Sequence, residues 1–97
     1  MEHLGEAIRI ARKEGALFVE NSPKWKGNEI WQLHMEDPRK EQTMSSLPTF
    51  LMFGKNGPRF LSDSEVMDYM RYLGNEIGYE DDERTLKGFE STLVPVK

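Results

Sequence analysis

The sequence contains no cysteine among its 97 residues. Without a thiol, the chain forms no disulfide scaffold, thiolate zinc site, iron–sulfur cluster or redox-active dithiol. Long apolar runs are also missing, since no stretch approaches the ~18 residues that a membrane-spanning helix needs. Residues 1–6 are acidic and mixed rather than basic and then apolar, which argues against a signal peptide. These absences predict a small, soluble, cytoplasmic protein without a cofactor.

The length and composition predict a single domain over residues 1–97. With 37% hydrophobic and 31% charged residues, one modest core is expected. We expect a compact part over residues 1–76. Residues 77–97 are expected to form an acidic C-terminal extension with room for an edge strand.

Negative charge is concentrated in the second half of the chain. Residues 1–59 carry nine Lys and Arg against eight Asp and Glu, whereas residues 60–97 carry four against nine. The acidic run Glu80, Asp81, Asp82 and Glu83 supplies most of this bias. Such a patch attracts a basic partner surface, mimics the phosphates of DNA, or forms a solvated turn. The lack of a basic stripe disfavours nucleic-acid binding.

The N-terminal half of the chain predicts one helix and two strands. Leu4, Ala7, Ile8 and Ala11 have helical spacing, and Gly15 suits the left-handed residue that ends a helix. A buried strand over residues 16–20, a loop over 21–29 containing Pro23, and a strand over 30–35 follow. In the second strand Trp31, Leu33 and Met35 alternate with polar residues, so His34 is expected on an exposed face. Residues 36–46 are expected to form an exposed connection.

The second half contains clearer local signals. Residues 49–53 predict a strand, residues 54–57 a hairpin turn containing Asn56-Gly57, and residues 59–61 the returning strand. Ser62 and Glu65 form a capping-box pattern at the start of a second helix. Val66, Tyr69, Met70 and Leu73 are expected to face the core, and Met52 likewise.

These elements predict an α+β fold in a single small two-layer domain. A mixed four-stranded sheet is packed by two helices, in the order α-β-β-β-β-α with a C-terminal extension.

Two stretches resemble the thioredoxin-like fold. Residues 46–53, with Pro48-Thr49 entering a hydrophobic strand, are followed by Asn56-Gly57 and a capped helix, as in the C-terminal half of that family. Residues 6–19 are similar to its opening helix and first strand. The family's Cys-x-x-Cys is absent, and residues 19–48 are too few for its intervening elements. The resemblance implies a redox-inactive binding module in which Pro48 matches the family's cis-proline.

No catalytic or metal-binding motif is found. His3 lies near the terminus, and His34 with Glu36 and Asp37 matches no known metal spacing. No nucleophile motif accompanies His34, so we expect no enzyme, no catalytic residue and no metal site.

The candidate partner-binding residues are therefore surface features. Trp25 lies between Lys24 and Lys26 in the predicted loop, where a large aromatic side chain either contacts a partner or folds back over the core. Tyr72 borders the apolar face of the second helix, where a patch would suit partner docking or a homodimer. Including the acidic run, the predicted partner-binding residues are Lys24, Trp25, Lys26, Tyr72, Glu80, Asp81, Asp82 and Glu83.

We therefore expect a small non-catalytic interaction or regulatory protein that binds another macromolecule, in the manner of a phage-type or accessory inhibitor. The alternatives are a redox-inactive thioredoxin-like module and an acidic DNA mimic.

Overall fold

The computed structural model describes residues 2–38, 47–75 and 93–97, and these form two helices and five strands. The elements are α1 (Leu4–Glu14), β1 (Phe18–Trp25), β2 (Asn28–His34), β3 (Thr49–Gly54), β4 (Gly57–Phe60), α2 (Asp63–Asn75) and β5 (Leu93–Pro95). The predicted α+β class is confirmed. Neither helix has the length and apolar character needed to cross a membrane.

The strands form one sheet in the order β4-β3-β2-β1-β5, and every neighbouring pair is antiparallel. The predicted mixed, four-stranded sheet is therefore wrong in two details. Tight turns join β1 to β2 and β3 to β4, and such turns connect only antiparallel strands. The fifth strand comes from the tail, where Val94 pairs with Val19 of β1.

The two helices cover opposite faces of the sheet, so the domain has three layers instead of the predicted two. Leu51 and Phe53 of β3 pack with α1, whereas Phe50 and Met52 pack with α2. Successive residues of a strand point to opposite faces, and all four of these residues are buried. A strand that is apolar on both sides requires a cover on each side.

Each face has its own core. The α1 core consists of Ala7, Ala11, Ala16, Val19, Trp31, Leu33, Leu51, Phe53 and Val96. The α2 core consists of Trp25, Ile30, Phe50, Met52, Leu61, Val66, Tyr69 and Leu73. The predicted stripe of α1 is confirmed at Ala7 and Ala11, and Gly15 ends the helix at φ 81°.

The predicted loop over residues 21–29 is wrong, because this stretch forms the end of β1, a turn and the start of β2. Lys26 and Gly27 make the turn with φ of 53° and 79°. The strand accommodates Pro23 through a bulge between Ser22 and Trp25. Burial of Trp25 in the α2 core favours the extended strand over a solvated loop.

The β3–β4 hairpin and the cap of α2 are confirmed. The Glu65 amide donates to Ser62 Oγ at 3.2 Å, and the Ser62 amide donates to Glu65 Oε1 at 2.9 Å. This is the reciprocal capping box. The expected burial of Met52 is also confirmed, but that of Met70 is wrong, since Met70 is exposed on the flank of α2.

Candidate interaction surface

The predicted partner-binding residues Lys24, Trp25 and Lys26 lie where β1 turns into β2. Trp25 is only 7% exposed, and its ring centre lies 5.5 Å from that of Tyr69 on α2. Lys26 places Nζ 4.5 Å from the centre of the Trp25 ring, and Lys24 is exposed. Of the two interpretations of Trp25, the one that folds it back over the core is the one observed. The lysines are the residues of this trio that face solvent.

Tyr72 belongs to the same aromatic cluster as Trp25. Its ring stacks on Tyr69 with 6.3 Å between the centres, so Tyr69 contacts both predicted residues. Tyr72 also lines an open depression of about 250 Å³ with Asp68, Arg71 and Asn75. Arg71 pairs with Asp68 at 3.0 Å, which leaves this depression with little net charge. The acidic run Glu80–Glu83 lies outside the described residues.

A more exposed apolar surface lies at the end of the sheet where β1 and β3 begin and β2 ends. Leu17 immediately precedes β1, Met35 immediately follows β2, and Leu47 lies two residues before β3. Their exposed fractions are 42%, 43% and 42%. Adjacent strands lie about 4.8 Å apart, so residues at the same end of three adjacent strands form a continuous patch. We call Leu17, Met35 and Leu47 the sheet-end patch.

Sequence reasoning missed this patch because each member looked ordinary by itself. Leu17 and Met35 were assigned to strands, and Leu47 to the entry of a strand. Only the order β3-β2-β1 places the three side by side. The register that brings the three together depends on the β1–β2 hairpin, at a place where Pro23 and Gly27 indicate a loop.

The sheet edges are poorly suited to pairing with another chain. β4 carries Pro58, β5 carries Pro95, and the part of β1 beyond its pairing with β5 carries Pro23 in a bulge. Proline lacks an amide donor, and bulges and prolines are common means of protecting an edge. In addition, Tyr69 donates its hydroxyl to the Pro23 carbonyl at 2.6 Å, which occupies a backbone acceptor there. A partner is therefore expected to contact side chains instead of extending the sheet.

Two further exposed apolar side chains lie on α2. Met67 and Met70 are one helical turn apart on the same flank, and they are 52% and 43% exposed. They belong to the helix and not to the end of the sheet, so they offer a matched comparison for the sheet-end patch.

His34 is buried, contrary to the expectation that it would lie on an exposed polar face. Its exposed fraction is 9%, and Nε2 lies 3.0 Å from Oε1 of the buried Glu20 on the neighbouring strand. Glu20 and His34 come together through the pairing of β1 with β2, which the alternation within β2 alone does not indicate. The pairing satisfies polar groups that would be costly to bury alone.

His3 is held against the sheet instead of lying free at the terminus. Its Nδ1 lies 3.1 Å from Oε1 of Glu29, and its ring stacks on Phe53 at 4.3 Å. Trp31 Nε1 donates to Glu29 Oε2 at 2.6 Å. Burial by itself would raise the pKa of Glu29, but hydrogen bonds from Trp31 and His3, together with the nearby His3 ring, lower that pKa overall.

No protein-family model, curated protein or solved structure matches this chain. The resemblance to the thioredoxin-like fold therefore stays a prediction. The Leu47–Pro48 peptide bond is trans, so Pro48 lacks the cis geometry that the resemblance implied. The β1–β2 hairpin lies between the two stretches that carry the resemblance. What the fold and surface define is a small antiparallel α+β domain with an apolar patch at one end of its sheet.

Proposed function

We propose that this chain is a non-catalytic protein-binding domain whose partner docks on the sheet-end patch. The observation that carries the proposal is the exposure of Leu17, Met35 and Leu47 at one end of three adjacent strands. Contiguous exposed apolar side chains on a soluble domain mark sites of protein association more often than scattered ones do.

The chemistry of the patch points to an apolar partner surface. Two leucines and a methionine offer dispersion contacts but no charge for recognising phosphate or sugar. Methionine adapts its flexible side chain to different shapes, which suits a docking face. Protected sheet edges on the described strands favour contact through these side chains over strand addition.

The partner's charge is a separate part of the proposal. The excess negative charge of residues 60–97 favours a partner that also carries a basic surface. The affinity is then expected to fall as salt is raised, because screening shortens the reach of charge. Competition by duplex DNA for the same partner would instead favour the acidic DNA-mimic alternative.

The experiment begins with a photo-crosslinking amino acid at position 35 in the native cell, and at position 67 as the matched control. A protein captured at position 35 and not at 67 is then purified and titrated with the chain. Met35→Ser is expected to weaken the affinity about tenfold, since it removes a buried apolar contact worth roughly 1–2 kcal/mol. Met67→Ser removes the same side chain from α2 and is expected to leave the affinity unchanged.

Equal weakening by the two substitutions, or none from Met35→Ser, would exclude the sheet-end patch as the interface. Light scattering on the purified chain tests in addition whether the chain forms a dimer. A dimer that dissociates on Met35→Ser would identify the occupant as a second copy of the chain in place of another protein.

A redox-inactive thioredoxin-like binding module is a second proposal. The order α1-β1 and then β3-β4-α2 supports it, since these are the stretches that carry the resemblance. In that case binding depends on Pro48, so Pro48→Ala weakens the affinity more than Met35→Ser does. The reverse order of the two effects would favour the sheet-end patch alone.

A further inference from the structure

The start of α1 and the strand β2 bring one imidazole and two carboxylates together. The ligand atoms of Glu2, His3 and Glu29 all lie within 4.8 Å of one another. Glu2 is exposed, His3 is half-buried and Glu29 is buried. Buried Glu29 thus anchors the group to the sheet, and exposed Glu2 leaves it open to solvent.

Two of the three ligands are already oriented. The His3 ring lies flat on Phe53, with 13° between the ring planes, so its rotation is restricted. Glu29 is fixed by the indole of Trp31, which donates to Oε2 and leaves Oε1 directed at His3. Hydrogen bonds that hold a ligand from behind are a regular feature of metal sites.

The observed spacing suits a small divalent ion. Two ligand atoms bonded to zinc at about 2.0–2.1 Å are about 2.8–3.4 Å apart at octahedral to tetrahedral angles. His3 Nδ1 and Glu29 Oε1 are 3.1 Å apart, so an ion could take the place of the shared proton with little movement. The exposed Glu2 side chain can close the remaining distance by rotation.

The local charge also favours a cation. The N-terminus of a helix carries roughly half a positive charge, which opposes a cation. Two carboxylates supply two full negative charges at the same place, which more than offsets the helix. We propose that Glu2, His3 and Glu29 form a binding site for a zinc-like first-row divalent ion, completed by water. Three protein ligands and an open side are the arrangement in which zinc keeps an exchangeable position.

The experiment is a calorimetric titration of the full, untagged chain with zinc chloride, with the thermal midpoint followed in parallel. Wild type is expected to bind one equivalent of zinc and to melt at a higher temperature with zinc than with a chelator. His3→Phe keeps the ring on Phe53 and removes the ligand nitrogen, so binding is expected to weaken at least tenfold. Glu14→Gln, an exposed acid at the other end of α1, is the control and is expected to bind like wild type.

A readout on the unaltered chain covers the case in which a variant loses its fold. Long-range proton–nitrogen NMR separates the two imidazoles, and zinc is expected to shift Nδ1 of His3 and not the nitrogens of the buried His34. The proposal is overturned by the absence of saturable binding, by equal binding in His3→Phe, by equal loss in Glu14→Gln, or by a shift at His34 alone.

Discussion

The two faces of the sheet hold their helices by different means. On the α1 face the fully buried helix side chains are the small Ala7 and Ala11, with Leu4, Ile8 and Ile10 half-buried around them, and the sheet supplies the large Trp31. On the α2 face the helix supplies the large Tyr69, which contacts Trp25 and Phe50 of the sheet. Small helix residues allow a close approach to the sheet, whereas a large one fills a wider gap.

The hydrogen bonds that cap the starts of the two helices also differ. The N-cap of α1, His3, makes no side-chain cap bond, and its amide donates instead to Glu29 of β2 at 3.3 Å. The start of α2 is capped locally by Ser62 and Glu65. The carboxylate that accepts from the N-cap amide is thus 26 residues away for α1 and three residues away for α2. One helix start depends on the sheet, and the other depends on its own sequence.

The largest expected effect is at the centre of the α1 core. Trp31→Ala removes a fully buried side chain and one of the two donors to Glu29 Oε2, leaving only the His3 amide. We expect a loss of about 3–5 kcal/mol in the free energy of unfolding, measured by urea denaturation. A loss below about 2 kcal/mol would mean that α1 moves in to fill the space left by Trp31. The packing of α1 would then depend less on this large sheet residue.

The second-largest effect is expected at Glu29, which caps α1 from the sheet, and it is compared with that of Glu6, an acid on the surface of α1. Glu29→Gln is expected to cost about 1–3 kcal/mol, because the buried group loses its charge-assisted bonds to His3 and Trp31. Glu6→Gln, on the exposed side of α1, is expected to change stability by no more than about 0.5 kcal/mol. Equal effects would contradict the capping role of Glu29.

The Glu29 effect also has a defined pH dependence. The pKa of Glu29 is lowered in the folded protein from its ordinary value of 4.5. Its stabilising contribution is therefore complete above that value and is lost as the pH falls through the lower folded pKa. The stability difference between wild type and Glu29→Gln is expected to shrink on acidification, and a difference that grows would reverse this assignment.

On the α2 face, the hydrogen bond between helix and sheet is expected to contribute less to the free energy of unfolding. Tyr69→Phe keeps the ring against Trp25 and Phe50 but removes the 2.6 Å hydrogen bond to the Pro23 carbonyl. We expect a cost of about 1 kcal/mol in urea denaturation. Hydrogen exchange at the amides of Ser22, Lys24 and Trp25 is expected to quicken, since the bulge loses its hydrogen bond to α2. Unchanged exchange there would show that the bulge is held by Trp25 alone.

The smallest expected effect concerns the local cap. A hydrogen bond from Arg59, a bond from the Ser62 amide and the charge of Arg59 lower the pKa of Glu65 to about 2. Glu65 thus stabilises the fold above its ordinary value of 4.5, and this contribution is lost as the pH falls toward 2. Since the group is on the surface, added salt is expected to reduce the difference between wild type and Glu65→Gln. Salt-independent behaviour would point to the backbone bond instead of Arg59.

Sequence reasoning succeeded where the signal is short in range. It predicted both helices, the β3–β4 hairpin and the capping box, because helical spacing and turn residues act within a few positions. It failed at residues 21–29, where Pro23 indicated a loop but burial of Trp25 stabilises a bulged strand. It also failed for Met70 and His34, whose exposure depends on which face each element presents and on what covers it.

The candidate sites also differ in whether the sequence alone predicts them. Lys24, Lys26 and Tyr72 were identified from residue type, and the structure leaves the two lysines exposed and Tyr72 half-buried. The sheet-end patch and the Glu2–His3–Glu29 group could not be predicted, because their members are far apart in the sequence. Strand order assembles the first, and the packing of α1 on β2 assembles the second.

The absence of cysteine from these 97 residues and the start of α2 are evident from residue types and from neighbours along the chain. The cover on both faces of the sheet, the cap that Glu29 provides for α1, and the common surface of Leu17, Met35 and Leu47 arise only from tertiary packing. These features depend on strand pairing, which joins residues whose separation along the chain carries no local signal.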